Sequence, residues 1–184
     1  MNISDLVNYV APEVPGCNVL AIEQSIMEAA RSFCAATWVW EHDTSAWIRA
    51  GKDTGAIRVP TDMSVLGIVS WESEQTSEPP ILYPGGYVRV RRDVTSDTKY
   101  TLTVAIQPDR SETEIPDWLD DQYREAIVAH AKHSLLMLPG KDWTNPGRAQ
   151  PLYQIYRDAV NSTKRDRNTN RMRGVMRVRI PGVN

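Results

Sequence analysis

The chain has 184 residues, 41% of them hydrophobic and 24% charged, which suits one compact domain with a small insertion and excludes wholesale disorder. No apolar run approaches the roughly 18 residues that a membrane-spanning helix needs, and residues 1–9 lack a signal-peptide pattern, so we expect a cytoplasmic product without a membrane partner. The net charge of −2 hides an asymmetry, because residues 164–184 carry +6 and the first 163 residues carry −8, which predicts an acidic body with a basic tail.

The N-terminal part, residues 1–46, is predicted to be helical. Ser4 can cap a short helix over residues 5–10, which Pro12 would stop. Asn18 can cap a longer helix that reaches about Trp40. Apolar side chains recur along it at steps of three and four: Ile22, Ile26, Ala29, Phe33, Thr37 and Trp40. One face of this helix must therefore pack against other helices or against a second subunit.

Residues 47–110 are predicted to form a small antiparallel β insertion. Glycine and proline residues separate five short β-rich runs, which cover residues 56–59, 63–71, 81–83, 87–92 and 99–106. The last run is the clearest, because apolar and polar residues alternate along it as in a half-buried strand. The acidic residues 72–78 are predicted to form a solvated hairpin loop.

The helical period returns in residues 111–167. Pro116 fits the first turn of a helix that Pro139 and Gly140 would end. Asn145 can cap a further helix that continues to the basic tail. Pro151 leaves its start open, because a proline inside a helix costs a hydrogen bond and moves the start toward Gln150.

Residues 168–184 are predicted to form an extended basic arm. Asn168, Thr169 and Asn170 form a polar hinge, after which arginine and valine at odd positions alternate with mostly apolar residues at even positions from 171 to 180. Such a strand can dock in an acidic protein groove, bind nucleic-acid phosphates or close the protein's own sheet. The regular alternation favours the protein groove, because phosphate binding needs no apolar face.

These patterns predict an α+β fold class. We expect a bundle of three to four helices that is interrupted by a small antiparallel β insertion, with an extended C-terminal β arm.

The sequence offers little that indicates catalysis or metal binding. His130 and His133 are three residues apart, whereas zinc-binding helices usually space histidines by four. Asp117, Asp120 and Asp121 fall where the dipole of a helix favours negative charge. The chain has no nucleophile elbow, phosphate-binding loop or zinc-protease motif. We therefore expect no enzyme activity, no metal and no cofactor.

The two cysteines, Cys17 and Cys34, are expected to be free thiols, because neither belongs to a pair with metal-binding or redox spacing. The aromatic residues are six Trp, seven Tyr and one Phe, so most large rings carry a polar edge that suits interfaces as well as cores.

Motifs in both halves resemble one family. In the first half these are Val10-Ala11-Pro12-Glu13-Val14-Pro15-Gly16-Cys17, Ile22-Glu23, Ala29-Ala30-Arg31-Ser32-Phe33-Cys34 and Thr37-Trp38-Val39-Trp40. In the second half they are Ile115-Pro116-Asp117-Trp118-Leu119, Tyr123, Glu125-Ala126-Ile127, Leu138-Pro139-Gly140-Lys141-Asp142-Trp143, Asn145-Pro146, Ala149 and Tyr153. With these motifs in this order over nearly the whole chain, the sequence resembles the head-to-tail adaptor, or connector, proteins of tailed bacteriophages.

The resemblance implies a structural virion protein in the neck, made in the host cytoplasm, that forms a dodecameric ring between the portal and the tail tube, nozzle or other tail component. Genomic DNA would pass through the lumen without sequence-specific binding. The residues that would dock on the portal are Arg171, Met172, Arg173, Met176, Arg177, Val178, Arg179 and Ile180. The candidates for the interface between ring subunits are Trp38, Trp40, Trp118, Trp143, Tyr153 and Tyr156.

One alternative function follows from the same basic tail. A DNA-binding accessory protein would use the seven basic residues from Lys164 onward to bind phosphates, and its affinity would fall steeply with salt.

Overall fold

The computed structural model describes residues 2–175 and the side chains of residues 2–169. It has an α+β fold, in which helices surround one hydrophobic core and two small antiparallel sheets surround another. The helices are α1 (Ile3–Val10), α2 (Val19–Thr37), α3 (Asp117–Leu136) and α4 (Pro146–Val175), with a short 3₁₀ turn at Ala11–Glu13. The strands are β1 (Glu41–Ile48), β2 (Thr54–Ala56), β3 (Met63–Glu72), β4 (Ile81–Tyr83), β5 (Tyr87–Arg89) and β6 (Thr98–Pro108).

The helical core confirms the predicted apolar stripe of α2 from Ile22 to Thr37. Ile22, Ile26 and Phe33 of α2 are at most 1% exposed and lie against buried residues of α1 and α3. The side-chain oxygen of Asn18 accepts the N–H of Leu20, so the predicted cap of α2 is present. The cap of α1 is Asn2, whose oxygen accepts the N–H of Ser4, and not Ser4 as predicted.

The β module, which we define as residues 41–108, contains two three-stranded sheets. Their strand orders are β1-β6-β3 and β2-β5-β4, and a single bridge between Ala46 and Ile57 joins β1 to the second sheet. Both sheets contribute to one core, in which Tyr100 and Leu102 are at most 1% exposed. Four of the five predicted strands are confirmed, with ends that differ by a few residues, whereas the predicted run 56–59 overlaps β2 only at Ala56.

Strand β1 was not predicted, and it moves the start of the β module from residue 47 to Glu41. Its first residues carry charge and face solvent, and Ala46 and Ile48 are its only buried residues. Apolar and polar residues alternate only weakly along β1. The segment is nevertheless a strand because it pairs with β6 along its whole length.

The acidic segment 73–80 also differs from the prediction. It links two sheets and does not close a hairpin, because β3 pairs with β6 and β4 pairs with β5. The hydroxyl of Tyr100 donates to the carbonyl of Glu78 at 3.2 Å, which attaches this link to the core.

The junction between the bundle and the β module lies at Trp38. This residue adopts a left-handed backbone with φ of 54°, so α2 ends at Thr37 and not near Trp40. The indole of Trp38 lies over Gly67 of β3, where an added Cβ would come within 2.4 Å of the ring. Trp40 contacts both hydrophobic cores, which joins the two parts of the molecule.

The start of α4, which Pro151 left open between residue 146 and Gln150, lies at Pro146. Asn145 accepts the N–H of Arg148, the helix begins at Pro146, and Pro151 lies inside it. The helix then continues to Val175, so residues 168–175 are helical where a hinge and an extended strand were predicted. Extending an anchored helix fixes one residue for each hydrogen bond gained, and arginine and methionine have high helix propensity. Residues 176–184, the rest of the predicted arm, lie outside the described residues.

Candidate interaction surfaces

The last contact of α4 with the body, among the described side chains, is made by Arg167. Its guanidinium donates to the carbonyl of Thr37 at 3.1 Å and to Glu41 at 3.3 Å, and its Cζ lies 5.3 Å from the centre of the Trp38 ring. The carbonyl of Thr37 belongs to the last turn of α2, where the helix dipole favours a cation. Arg167 therefore fixes α4 to both α2 and β1.

Around this contact the described side chains of α4 are mostly exposed. Among the residues of α4 whose side chains the structure describes, Tyr156, Val160 and Thr163 are the last buried ones. Around Arg167 the side chains are polar and exposed, including those of Lys164 and Arg165. The predicted portal-docking residues follow: Arg171, Met172 and Arg173 lie in the helical backbone, and Met176, Arg177, Val178, Arg179 and Ile180 lie outside the described residues.

Three of the predicted ring-interface residues are half-buried in the junction. Trp38 lies between Gly67 and Arg167. Trp40 and Trp118 make an edge-to-face contact with ring centres 5.8 Å apart. All three rings thus have partners within the chain, and only part of each ring is open to a second subunit.

The other three lie toward the opposite end of the bundle or between its helices. Trp143 is half-buried, with Lys141 6.0 Å from its ring centre, and Tyr153 is 38% exposed. Tyr156 is 8% exposed and packs on Phe33 and His130 in the helical core. Its ring holds α4 against α2 and α3, and its part in a contact between subunits stays a prediction.

The two histidines of α3 form a ladder with two tyrosines of α4. The ring of His130 stacks on that of Tyr156 at 4.1 Å, and His133 contacts Tyr153 at 4.9 Å. Desolvation, and after it the neighbouring His133, lowers the pKa of His130, whereas burial raises the pKa of Tyr156 to about 12. The ladder is thus a packing contact between α3 and α4.

The described residues contain no group of three or more His, Cys, Asp and Glu side chains that could hold a metal ion. Nδ1 of His133 lies 3.1 Å from the carbonyl of Ala149. Within the same part of the chain, no helix is both long and apolar enough to cross a membrane.

The three aspartates of α3 do not form an acid–base pair. Asp120 is 1% exposed, and its two carboxylate oxygens accept hydrogen bonds from Nε of Arg124 at 3.0 and 3.1 Å. Asp117 and Asp121 are exposed. Asp120 is thus held by an arginine one helical turn further on.

Both cysteines are free thiols, as predicted. Cys34 is fully buried in the helical core, and burial raises the pKa of its thiol to about 12. Cys17 is half-buried, and its thiol pKa is raised for the same reason.

Two open grooves, each of about 620 Å³, lie on the helical bundle. The first lies between α1, α2 and the loop before α3, with Leu20, Glu23 and Arg110 in its lining. The second lies between α3 and α4, with Tyr9 and Ile155 in its lining. Both grooves are lined by acidic and basic side chains, so neither favours anionic over cationic ligands.

Sequence reasoning missed the most exposed aromatic residues of the β module. Trp47, Tyr83 and Tyr87 are 46–47% exposed, more than any of the six predicted ring-interface residues. A signal was present, because Tyr83 and Tyr87 flank the turn Pro84-Gly85-Gly86 and Trp47 alternates with the buried Ala46 and Ile48. What the sequence lacks is the strand register, which pairs Tyr83 with Tyr87 across β4 and β5.

A scan of the chain against protein-family models and a search of the curated proteins found no match.

Proposed function

We propose that this protein is a structural head-to-tail adaptor of a tailed virus, which forms a ring between the portal and a tail component. In this proposal the C-terminal segment, residues 168–184, docks each subunit on the portal. The motifs that resemble the adaptor family carry the identification, since they run through nearly the whole chain.

The observation that carries the docking role is the path of α4. Its last described contact with the body is Arg167, and the exposed side chains of residues 164–169 are polar and include Lys164 and Arg165. A basic segment that follows this fixed point can reach an acidic groove on another protein. Arginine also binds carboxylates through two parallel hydrogen bonds, which adds specificity.

The proposed ring would form from copies of the helical bundle. Tyr153, Trp143 and the two open grooves offer partly exposed apolar surface for that contact. The dodecameric state and the passage of DNA through the lumen are part of the proposal through the family resemblance.

The docking role is tested by deleting residues 171–184. We expect the thermal unfolding midpoint to stay unchanged, because the anchor at Arg167 is retained, and binding to the purified portal protein to be lost. Binding is measured by sedimentation, and electron microscopy shows whether rings form on the portal.

A charge-matched pair of variants supports the deletion. R171E/R173E should weaken portal binding, whereas R110E/K132E changes two cations of the body and should not. If the truncated protein bound the portal with the affinity of the full chain, the C-terminal segment would not be the docking element.

A second candidate, DNA binding by the same segment, is favoured by one observation. The exposed side chains of residues 164–169 are polar, and binding to phosphates needs charge and no apolar surface. A titration of duplex binding against salt separates the two candidates. A steep loss of affinity with salt, reflecting several phosphate contacts, is expected only for the DNA-binding protein.

A further inference from the structure

Three residues of the first sheet lie side by side where the β module meets the helical bundle. Ala105 of the central strand β6 pairs with Glu41 of β1 on one side and with Gly67 of β3 on the other. Neighbouring strands are roughly 4.8 Å apart, so these three residues span about 10 Å across the sheet. We call Glu41, Ala105 and Gly67 the junction row.

Both ends of the junction row support Arg167 of α4. At one end, Nε of Arg167 donates to the carboxylate of Glu41 at 3.3 Å. At the other end, Gly67 lies against Trp38, and an added Cβ would come within 2.4 Å of the indole. The Cζ of Arg167 lies 5.3 Å from the centre of that same ring. The two outer strands of the sheet therefore hold Arg167, one through a carboxylate and the other through the indole of Trp38.

The helical bundle supplies a further partner of Arg167. The carbonyl of Thr37, at the end of α2, accepts a hydrogen bond from the guanidinium at 3.1 Å. Thr37 is fully buried, and its hydroxyl donates to the carbonyl of Phe33 at 2.7 Å. The N–H of Trp38 donates to the carbonyl of Cys34, also at 2.7 Å. The carbonyl that binds Arg167 is thus fixed to the bundle.

The contacts of Arg167 depend on how the β module sits on the bundle. If the sheet shifted relative to α2, the Glu41 carboxylate and the Trp38 ring would move relative to the Thr37 carbonyl. One guanidinium could not keep these contacts, because hydrogen bonds weaken steeply with distance and angle. The side chain of Arg167 is only 19% exposed, and a charge left there without its partners is costly. The end of α4 would therefore move outward.

We propose that the junction row and the C-terminal end of α4 are energetically coupled through Arg167, so that displacement of the β module releases residues 164–175 from the body. Gly67 is a positioning residue in this coupling, because it acts on Arg167 through the ring of Trp38. The coupling is reciprocal, so release of Arg167 also loosens the junction row. It is a property of the isolated chain, and only its use in docking rests on the proposed function.

Amide hydrogen exchange of the full chain, followed by mass spectrometry, measures the coupling. The variant is G67A, whose methyl group displaces the ring of Trp38. Its matched control is G86A, which adds a methyl group to a left-handed turn of the β module where no atom lies within 4 Å. The double variant G67A/R167Q shows whether the effect passes through Arg167. Thermal unfolding midpoints show whether each variant is folded.

We expect G67A to speed exchange in residues 164–175 by more than about threefold, since the local opening of this segment becomes easier. G86A should leave that exchange unchanged. In the R167Q background, G67A should add no further increase, because the segment is already released. Wild-type exchange of residues 164–175 in G67A would overturn the inference, as would a full additional effect of G67A in the R167Q background.

The reverse effect decides the result if G67A does not fold. Because the coupling is reciprocal, R167Q should speed exchange in residues 65–69 of β3 by more than about twofold. R165Q removes an exposed arginine two residues away and should not. Wild-type exchange of residues 65–69 in R167Q would overturn the inference.

Portal binding separates this inference from the proposed function. A fixed starting point lowers the cost of ordering the docking segment, so G67A should bind the purified portal protein at least about threefold more weakly than the wild type. G67A/R167Q should bind no more weakly than R167Q. A wild-type chain that does not bind the portal would overturn the proposed docking role, whereas the exchange result would stand. Coupled exchange with unchanged portal affinity of G67A would overturn the use of the coupling in docking.

Discussion

His130 of α3 packs between α2 and α4, and one of its ring nitrogens is shielded from solvent. Its ring stacks on Tyr156, and its Nδ1 is buried without a hydrogen-bond partner among the described residues. The titratable groups that face it are Glu28 from α2, His133 from its own helix and Tyr156 from α4. Of these, only Glu28 favours the protonated ring.

The consequence is a pH dependence of stability. The pKa of His130 in the folded chain lies below its ordinary value of 6.5. As the pH falls, the unfolded chain therefore binds a proton on this ring before the folded chain does. The free energy of unfolding is thus expected to fall as the pH drops from about 7.5 to about 5.5. Urea unfolding at both pH values should show a smaller fall for H130Q than for the wild type. H42Q is the control and should keep the wild-type slope; an equal slope for H130Q would contradict the prediction.

Some residue-scale features could be read from the sequence and others could not. Asn18 was identified as a cap because its short polar side chain precedes an apolar stripe. The packing of Tyr156 could not be read in this way, because the same stripe position serves a subunit's own core or a contact between subunits. The folded chain places its ring on those of His130 and Phe33.

Helix α4 contains two prolines in different positions. Pro146 occupies the first helical residue, where no N–H would be bonded. Pro151 lies beyond the first turn, where its nitrogen cannot donate to the carbonyl of Gly147. The helix tolerates this loss because Leu152, Tyr156 and Val160 pack on the helical core.

Replacing Pro151 tests that account. P151A restores the N–H donor, so we expect the free energy of unfolding to rise by about 1–3 kcal/mol. P146A is the matched control and should change it by less than about 0.5 kcal/mol, because no bond is regained there. Both are measured by urea unfolding. A neutral or destabilising P151A would mean that the stiffness which proline gives to the unfolded chain outweighs the missing hydrogen bond.

At the scale of elements, strands with clear alternation were predictable and strands held by their neighbours were not. Strand β6 carries its own pattern, and its predicted start was one residue from the observed one. Strand β1 begins with Glu41 and Asp43 on its outer side and becomes a strand through pairing with β6. At residues 171–175 the alternation predicted a strand where the structure has a helix, because these residues continue a helix that is already anchored.

The whole molecule consists of two hydrophobic cores and a C-terminal helix that is attached where the two cores meet. Arg167 makes the attachment through the carbonyl of Thr37, the carboxylate of Glu41 and the ring of Trp38. No pattern in the sequence singles out this arginine among the seven basic residues of the tail. Its role depends on the left-handed turn at Trp38, which is visible only in the folded chain.

Removing this attachment should free the end of α4 without unfolding the body. For R167Q we expect amide hydrogen exchange in residues 164–175 to become faster by more than about tenfold, since the local opening energy falls when these contacts are lost. R165Q changes an exposed arginine two residues away and should leave exchange unchanged. Exchange is followed by mass spectrometry. If R167Q exchanged at the wild-type rate, helical hydrogen bonds alone would hold this end of α4.

The connection at Trp38 also limits where the sequence can accept an inserted residue. Only three residues separate α2 from β1, and all three are half-buried, so the junction has no slack to absorb an extra residue. One residue inserted into α2 would turn everything after it by about 100° around the helix axis. The β module would then point away from its present side of the bundle, while length changes in its outer loops would leave that direction intact. Viable insertions should therefore accumulate in the loops and be absent between Phe33 and Trp40.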